Sequence, residues 1–321
     1  MKYLLISFLF FVHCSAQAAW HSRYESTMGT RVGVELWHDD EVQAERIMAE
    51  VMEEMTRINQ TMSPYIESSE LSEVNRQAAD NPVTVSLELF ALLSKAQRFS
   101  VLSEGAFDIS FASVGYQYDY RAQQRPDKDA LAAGAYRIDY RQVQLDPELQ
   151  TVKFGRQGMR IDLGGIAKGH AVDLGIAVLQ KHGVKHGLVN AGGDTRLLGD
   201  RRGRPWVVGV KDPRVEDKQA VLLPLVNEAI STSGDYERYF EEDGVRYHHI
   251  LNPMTGDSAR EVQSVTVLAP DSTTADALST TVFVLGVERG LALVESMANV
   301  EAIIIDNQRK MHYSSDLAPP E

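Results

Sequence analysis

The hydrophobic period of this chain changes near Gly183, and that change restricts the folds open to it. Before this point apolar residues recur at helical spacing in long runs, and after it short alternating runs broken by Gly, Pro and Asn dominate. In "DEVQAERIMAEVMEEMTRINQTM", Val42, Ile47, Val51, Met55 and Ile58 are expected on one face of a long amphipathic helix, with the acidic face left to solvent. "SSELSEVNRQ" and "SLELFALLSKAQRFSVLSEG" read as two more helices, each opened by a capping Ser. Only "RVGVELW" and the Tyr-rich end of the polar stretch "YDYRAQQRPDKDALAAGAYRIDYRQ" read as strands in this half. Beyond Gly183, "HGLVNAGGDTRLLG", "PWVVGVKDP", "AVLLPLVNEAISTSG", "YERYFEEDGVRYHHIL", "QSVTVLAP" and "VEAIIID" read as strands, interrupted by helices at "DSTTADALSTTVFVLG" and "VERGLALVESMA". Helices first and strands later predict an α+β fold, with helices packed on a largely antiparallel sheet. At 321 residues the chain is expected to form one large domain or two intimately packed subdomains.

The N-terminus reads differently. "MKYLLISFLFFVHCSAQAAW" has a charged Lys2, an apolar run from Tyr3 to Val12 and an Ala16-Gln17-Ala18 cleavage pattern, so residues 1–18 are expected to be a signal peptide and Ala19 the mature start. The run is short for a retained membrane span. Lipidation of Cys14 is the lesser alternative, because Phe11, Val12 and His13 are bulky where such sites favour small residues. Cys14 is the sole cysteine, so the mature chain is expected to lack disulfides, cysteine nucleophiles and thiolate metal sites. Export to the periplasm is the expectation, and no other segment reads as long enough to span a membrane. The net charge of −13, which becomes −14 without Lys2, argues against nucleic acid as a partner.

"IDLGGIAKGHAVDLG" looks like a phosphate loop entering a helix, yet it fits neither common nucleotide signature. Adjacent Gly164 and Gly165 let a ligand touch backbone, a helix starting near Ile166 aims N–H groups at an anion, and Lys168 adds a cation. A structural glycine turn is the plainer alternative. On "TTADALSTTVFVLG", Asp276 and Thr280 stand four apart on one face and could hold Mg²⁺ with hard oxygens; alternatively Thr273 or Thr274 caps the helix and Asp276 complements its dipole. His248 and His249 alternate on a strand, so at most one of them faces a given site, as a general base or as a buried structural His. Tyr65 beside Pro64 offers a stiff ring, and Met28 a soft surface, to a planar ligand or to the core.

In this order the stretches "TMGT", "SPYIESSELSEVN", "GAFDI", "IDLGGIAKG", "VNAGGD", "STSGDYERYF", "HHILNPMTG" and "TADALSTTVFVLG" resemble the ApbE family of FAD:protein FMN transferases, from about Thr27 to Gly286. The resemblance implies one ApbE-like domain over residues 19–321, and a secreted or membrane-tethered Mg²⁺-dependent enzyme. Such an enzyme attaches the FMN of FAD to a Thr or Ser hydroxyl of another protein and releases AMP. By the same resemblance Met28, Tyr65, Ala106, Phe107, Asp108, Asp162, Lys168 and Ile250 match positions lining the flavin nucleotide. Asp276, Thr280 and the Gly165 carbonyl match metal ligands, and His249 matches the histidine associated with activating the acceptor. Exported flavoprotein subunits of membrane redox complexes are the implied acceptors. His170 and Asn252 depart from the family pattern, which usually has Tyr and Asp there. FAD hydrolysis to FMN and AMP, and flavin binding without turnover, remain as alternative activities.

Overall fold

The computed structural model describes residues 18–318, so the expected leader and Cys14 fall outside the described residues. The chain opens with a hairpin, β1 (Ala19–Thr27) and β2 (Thr30–His38), turned by Met28 and Gly29. Both turn residues have positive φ, 53° and 69°, the geometry that matches a hairpin's twist. Gly29 adopts it freely, but at Met28 it costs roughly 1–2 kcal/mol.

Helix α1 (Glu41–Met62) is capped by the Asp40 carboxylate, which accepts from the Gln43 N–H, and it buries Ala44, Ile47, Met48, Val51, Met52, Met55, Ile58 and Met62. Val42 departs from expectation and is 62% exposed. It lies about 140° around the helix from Ile47, off the buried stripe. Ser69 and Ser86 cap α2 (Glu70–Gln77) and α3 (Leu87–Leu102), which flank β3 (Val83–Thr84). After the short helix α4 (Ala112–Gly115), the polar stretch forms a further short helix, α5 (Lys128–Ala135), rather than ending in a Tyr-rich strand. Tyr140–Gln142 is a 3-10 turn opened by Asp139, and the strand begins after it as β4 (Val143–Asp146). With β5 (Thr151–Phe154) it completes a small sheet in the order β3-β5-β4.

Helix α6 (Ala167–Lys181) leads into β6 (Gly187–Ala191), β7 (Asp194–Leu198), β8 (Trp206–Lys211), β9 (Gln219–Leu225), β10 (Ala229–Gly234), β11 (Tyr239–Glu242), β12 (Val245–His248) and β13 (Val262–Ala269). Then follow α7 (Ser272–Glu295), β14 (Glu301–Asp306) and β15 (Met311–Tyr313). The main sheet runs β1-β2-β6-β7-β10-β13-β14-β15, every pair antiparallel. Helices α1, α6 and α7 pack on one face. The β8–β9 ribbon covers part of the other, where Trp206, Val210, Leu223 and Leu225 meet Leu197, Ile230, Leu268 and Ile303. Period-two alternation then turns Asp194, Arg196 and Ser231 toward the helices.

By length and composition α7 could cross a membrane, contrary to the sequence reading. Here it is a core helix, burying Ala275, Leu278, Val282, Phe283 and Val294. The two expected helices are joined as one element that breaks at Gly286, where φ 78° and ψ −169° suit glycine alone. The Glu261 carboxylate accepts the Val287 N–H at the break, 3.1 Å away.

Candidate active site

The glycine loop and the start of α6 lie against α7. Asp162 Oδ1 accepts the Gly164 N–H at 2.6 Å and so shapes the loop. A Cβ on Gly165 would sit 3.1 Å from Thr280 Oγ1 and 3.4 Å from the Phe107 ring, which brings these three residues into one small space. A Cβ on Gly169 would strike the Ser272 carbonyl and come 2.8 Å from Asp276 Cβ, so only glycine lets the helices approach this closely. That approach allows the Gly169 N–H to donate to Asp276 Oδ2 at 2.9 Å.

Lys168 does not point into an open anion site. Its ammonium lies 2.5 Å from Asp194 Oδ2 and 3.5 Å from Asp276 Oδ1. Burial disfavours its charge, but the two carboxylates outweigh burial and raise its pKa above the ordinary value. Burial, then repulsion from Asp194, pushes the Asp276 carboxyl up, against Lys168 and the Gly169 N–H. Asp194 Oδ1 accepts from Ser231 Oγ at 2.6 Å; Ser231 contacts Ser279, which contacts Ser233, and Ser233 reaches Thr280 Oγ1 at 3.4 Å. The helix cap is Asp271, accepting the Thr274 N–H at 2.9 Å, so Thr273 and Thr274 are not the caps and Asp276 does more than complement a dipole.

The two histidines part as alternation requires. His248 is buried: Nε2 donates to the Ala259 carbonyl at 2.6 Å, Nδ1 accepts the Ile250 N–H at 3.3 Å, and the ring meets Phe283 edge-on. His249, just past β12, has a buried Nδ1 without a hydrogen-bond partner. Burial, then His248, Arg238 and Lys168, pushes its imidazole down to about 3. It is therefore neutral near pH 7 with one ring nitrogen free to accept, while burial and the neighbouring cations oppose its protonation as long as no anion lies beside it.

Tyr65 is 86% exposed, within reach of the charges of Asp162 and Arg238. Arg238 Nη2 donates to the Gly29 carbonyl at 3.2 Å and its own carbonyl accepts the His249 N–H, so it links the Met28 turn to the histidine. Desolvation raises the Asp162 carboxyl, opposed by the Gly164 N–H and Arg238. Met28 packs half-buried against the main core, while Ala106, Phe107 and Ile250 are buried. Asp108 is placed differently from an open ligand contact: Oδ1 accepts from the Ser110 N–H and hydroxyl and Oδ2 from the Tyr140 N–H. Its carboxylate thus organises the 105–140 loops, beside a cleft of about 260 Å³ lined also by Gly105, Tyr136, Tyr140 and Met254.

Asp194, Ser231, Asp173, Arg196 and Arg238 were not singled out from the sequence. Asp194 and Ser231 lie in the quoted stretches "VNAGGD" and "STSGDYERYF", and the Gly-Gly before Asp194 was the available signal. No group of three His, Asp or Glu forms a metal site among the described residues. Thr280, one turn after Asp276 on α7, faces Gly165 across the loop.

The half-buried Lys168 ammonium is shared by two carboxylates, and a neutral histidine lies within range of its charge, a concentration of perturbed groups of the kind that marks enzyme sites. The chain belongs to the ApbE family, whose model matches residues 28–304. It is 35% identical to an FAD:protein FMN transferase of Treponema pallidum, over 92% of this chain and 87% of that one. It is 33% identical to one of Vibrio cholerae, over 98% and 97%. The crystal structure of the ApbE protein of Thermotoga maritima superposes with a TM-score of 0.85 at 34% identity, covering 93% of this chain and 98% of that one. The flavin transferase ApbE of Vibrio cholerae gives 0.83 at 30% identity, with 93% and 98% covered. The α+β fold with its antiparallel sheet is thus the family's fold.

Proposed function

We propose that this chain transfers the FMN moiety of FAD to a Thr or Ser hydroxyl of an exported acceptor flavoprotein. In that reaction the acceptor oxygen bonds to the FMN phosphorus, the pyrophosphate P–O bond breaks, AMP leaves with the bridging oxygen, and the hydroxyl proton passes to His249. The observations that carry the reading are the approach of Gly165 to Thr280, the contact of Lys168 with Asp276, and a buried His249 Nδ1 that has no hydrogen-bond partner and lies within range of the Lys168 charge. It agrees with what the relatives are named for.

The donor set suits Mg²⁺. Asp276 Oδ2 is taken by Gly169, but Oδ1 has only the long 3.5 Å contact to Lys168, and Thr280 Oγ1 only a 3.4 Å contact to Ser233. With the Gly165 carbonyl these three hard oxygens would hold the ion. Held by these residues, Mg²⁺ would supply charge neutralisation to the pyrophosphate. Lys168 orients and balances the carboxylates, Tyr65 and Met28 offer surface to the flavin ring, and His249 serves the nucleophile. A base whose pKa lies near the working pH adds about 10²–10⁴-fold to such a transfer, and the bound pyrophosphate anion would raise His249 toward that range by favouring its imidazolium. The leader supports a periplasmic location, where flavoprotein subunits of membrane redox complexes are the acceptors.

Mass spectrometry of an acceptor domain incubated with the enzyme, FAD and Mg²⁺ tests this. The wild type is expected to add one FMN per acceptor and release AMP, and Asp276→Ala or EDTA to abolish both. Free FMN without acceptor mass would replace transfer by hydrolysis. FAD retention without AMP would reduce the chain to a flavin carrier.

A further inference from the structure

Asp173 stands one turn after Gly169 on α6, and none of its carboxylate's partners belongs to its own helix. Oδ1 accepts the Ser272 N–H at 2.9 Å and Arg196 Nη1 at 2.7 Å. Oδ2 accepts the Thr273 N–H at 2.9 Å and the Thr273 hydroxyl at 2.5 Å. Three of these four donors are at the start of α7, and the fourth comes from β7, two residues from Asp194. Helix α7 thus has two N-terminal carboxylates: its own Asp271, which bonds Thr274 and ties to Lys95 on α3, and a second supplied by α6.

The geometry couples this second carboxylate to the site. Residues four apart share a helix face, so Gly169 and Asp173 form one line of contact on α6. On α7 the matching line runs from Ser272 and Thr273 to Asp276, and on to Thr280. The Gly169–Asp276 bond fixes one point of the crossing and Asp173 fixes the other. Two points determine both how far α7 slides along α6 and how it is rotated. Metal–oxygen distances tolerate only about 0.2 Å, whereas a one-residue slip moves a helix by about 1.5 Å.

We propose that Asp173 is a positioning residue that sets the cation affinity of Asp276 and Thr280 by locking α7 against α6. This rests on the metal reading given under the proposed function. Asn at position 173 keeps the shape but replaces one acceptor oxygen with a donor, which confronts two of the four donors with an N–H₂ group. A purely stabilising cap would act through folding free energy alone, and Asp271 provides the comparison, since its carboxylate caps the same helix and bonds Thr274 and Lys95 but no residue of α6.

Mn²⁺ binding by electron paramagnetic resonance, with FAD present and acceptor absent, separates the two roles without relying on turnover. The wild type is expected to bind Mn²⁺ and Asp276→Ala to lose it. Asp173→Asn is expected to weaken binding by about 10-fold or more, the scale of residues that orient metal ligands. Thr273→Val, which removes one of the four bonds, shifts affinity in the same direction by less. Asp271→Asn leaves it near wild type even where urea unfolding shows an equal loss of stability. FMN transfer by Asp173→Asn recovers toward the wild-type rate at excess Mg²⁺. Equal weakening by Asp173→Asn and Asp271→Asn, or no weakening by Asp173→Asn, overturns the proposal. Should Asp173→Asn not fold, unchanged affinity in Thr273→Val overturns it. Wild-type binding that survives Asp276→Ala overturns the metal reading instead, a result distinct from either.

Discussion

Replacing Gly169 by Ala tests the helix crossing on which the site depends. In an ordinary helix interior this change stabilises by roughly 0.5–1 kcal/mol. Here the new methyl would meet the Ser272 backbone carbonyl and lie 2.8 Å from Asp276 Cβ, neither of which can rotate away. The helices must separate, at an overpacking cost of about 1–3 kcal/mol. Separation also breaks the bond from the Gly169 N–H to a buried carboxylate, worth about 1.5–3 kcal/mol. The net expectation is a loss of roughly 2–5 kcal/mol, together with FMN transfer, because Asp276 moves with α7. Gly175 is the internal control. On the same helix, its Cβ would meet Val189 Cγ1 at 2.9 Å and Val51 Cγ1 at 3.2 Å, side-chain atoms that can yield. Gly175→Ala should therefore cost at most about 1–2 kcal/mol and retain transfer. Urea denaturation and acceptor mass spectrometry read both variants. If Gly169→Ala is no less stable than Gly175→Ala and transfers FMN normally, the close crossing is not what holds Asp276.

His249→Ala should bind FAD nearly as the wild type does but transfer FMN about 10²-fold more slowly, by acceptor mass spectrometry. His248→Ala should instead lose roughly 2 kcal/mol or more of stability in urea, since the Ala259 carbonyl and Ile250 N–H lose their buried partner. Tyr65→Ala should weaken FAD binding by ~0.5–1.5 kcal/mol in a fluorescence titration without lowering stability, because the ring is already exposed. Acid should reveal the buried imidazole. With the folded pKa of His249 near 3 and the unfolded one near 6.5, the unfolded chain binds the extra proton between these values. Stability from this group therefore falls as pH drops from about 6.5 toward 3, by up to ~1.4 kcal/mol per unit. His249→Gln should remove that slope, and parallel pH profiles of urea midpoints for the two proteins would contradict it.

Local order was legible in the sequence because its causes lie within one helical turn or one strand. Ser69 and Ser86 cap their helices as read, the buried stripe of α1 follows its period, and His248 and His249 diverge by simple alternation. The ordered motifs likewise pointed to the family before any contact was known. Tyr140–Gln142 forms a turn in place of the expected strand because Asp139 and Asp108 capture its N–H groups, a competition that β propensity does not register. The electrostatics of the site belong to the tertiary structure. Lys168 meets Asp194 only because the main sheet places β7 beneath α6, and Asp276 reaches Gly169 only because α7 crosses at a residue without a side chain. Asp173 reads as an ordinary helical carboxylate until α7 arrives at its tip. A chain's period specifies which face of each element is buried, but ion pairs 26 and 108 residues apart depend on how sheet order and helix crossing bring those faces together.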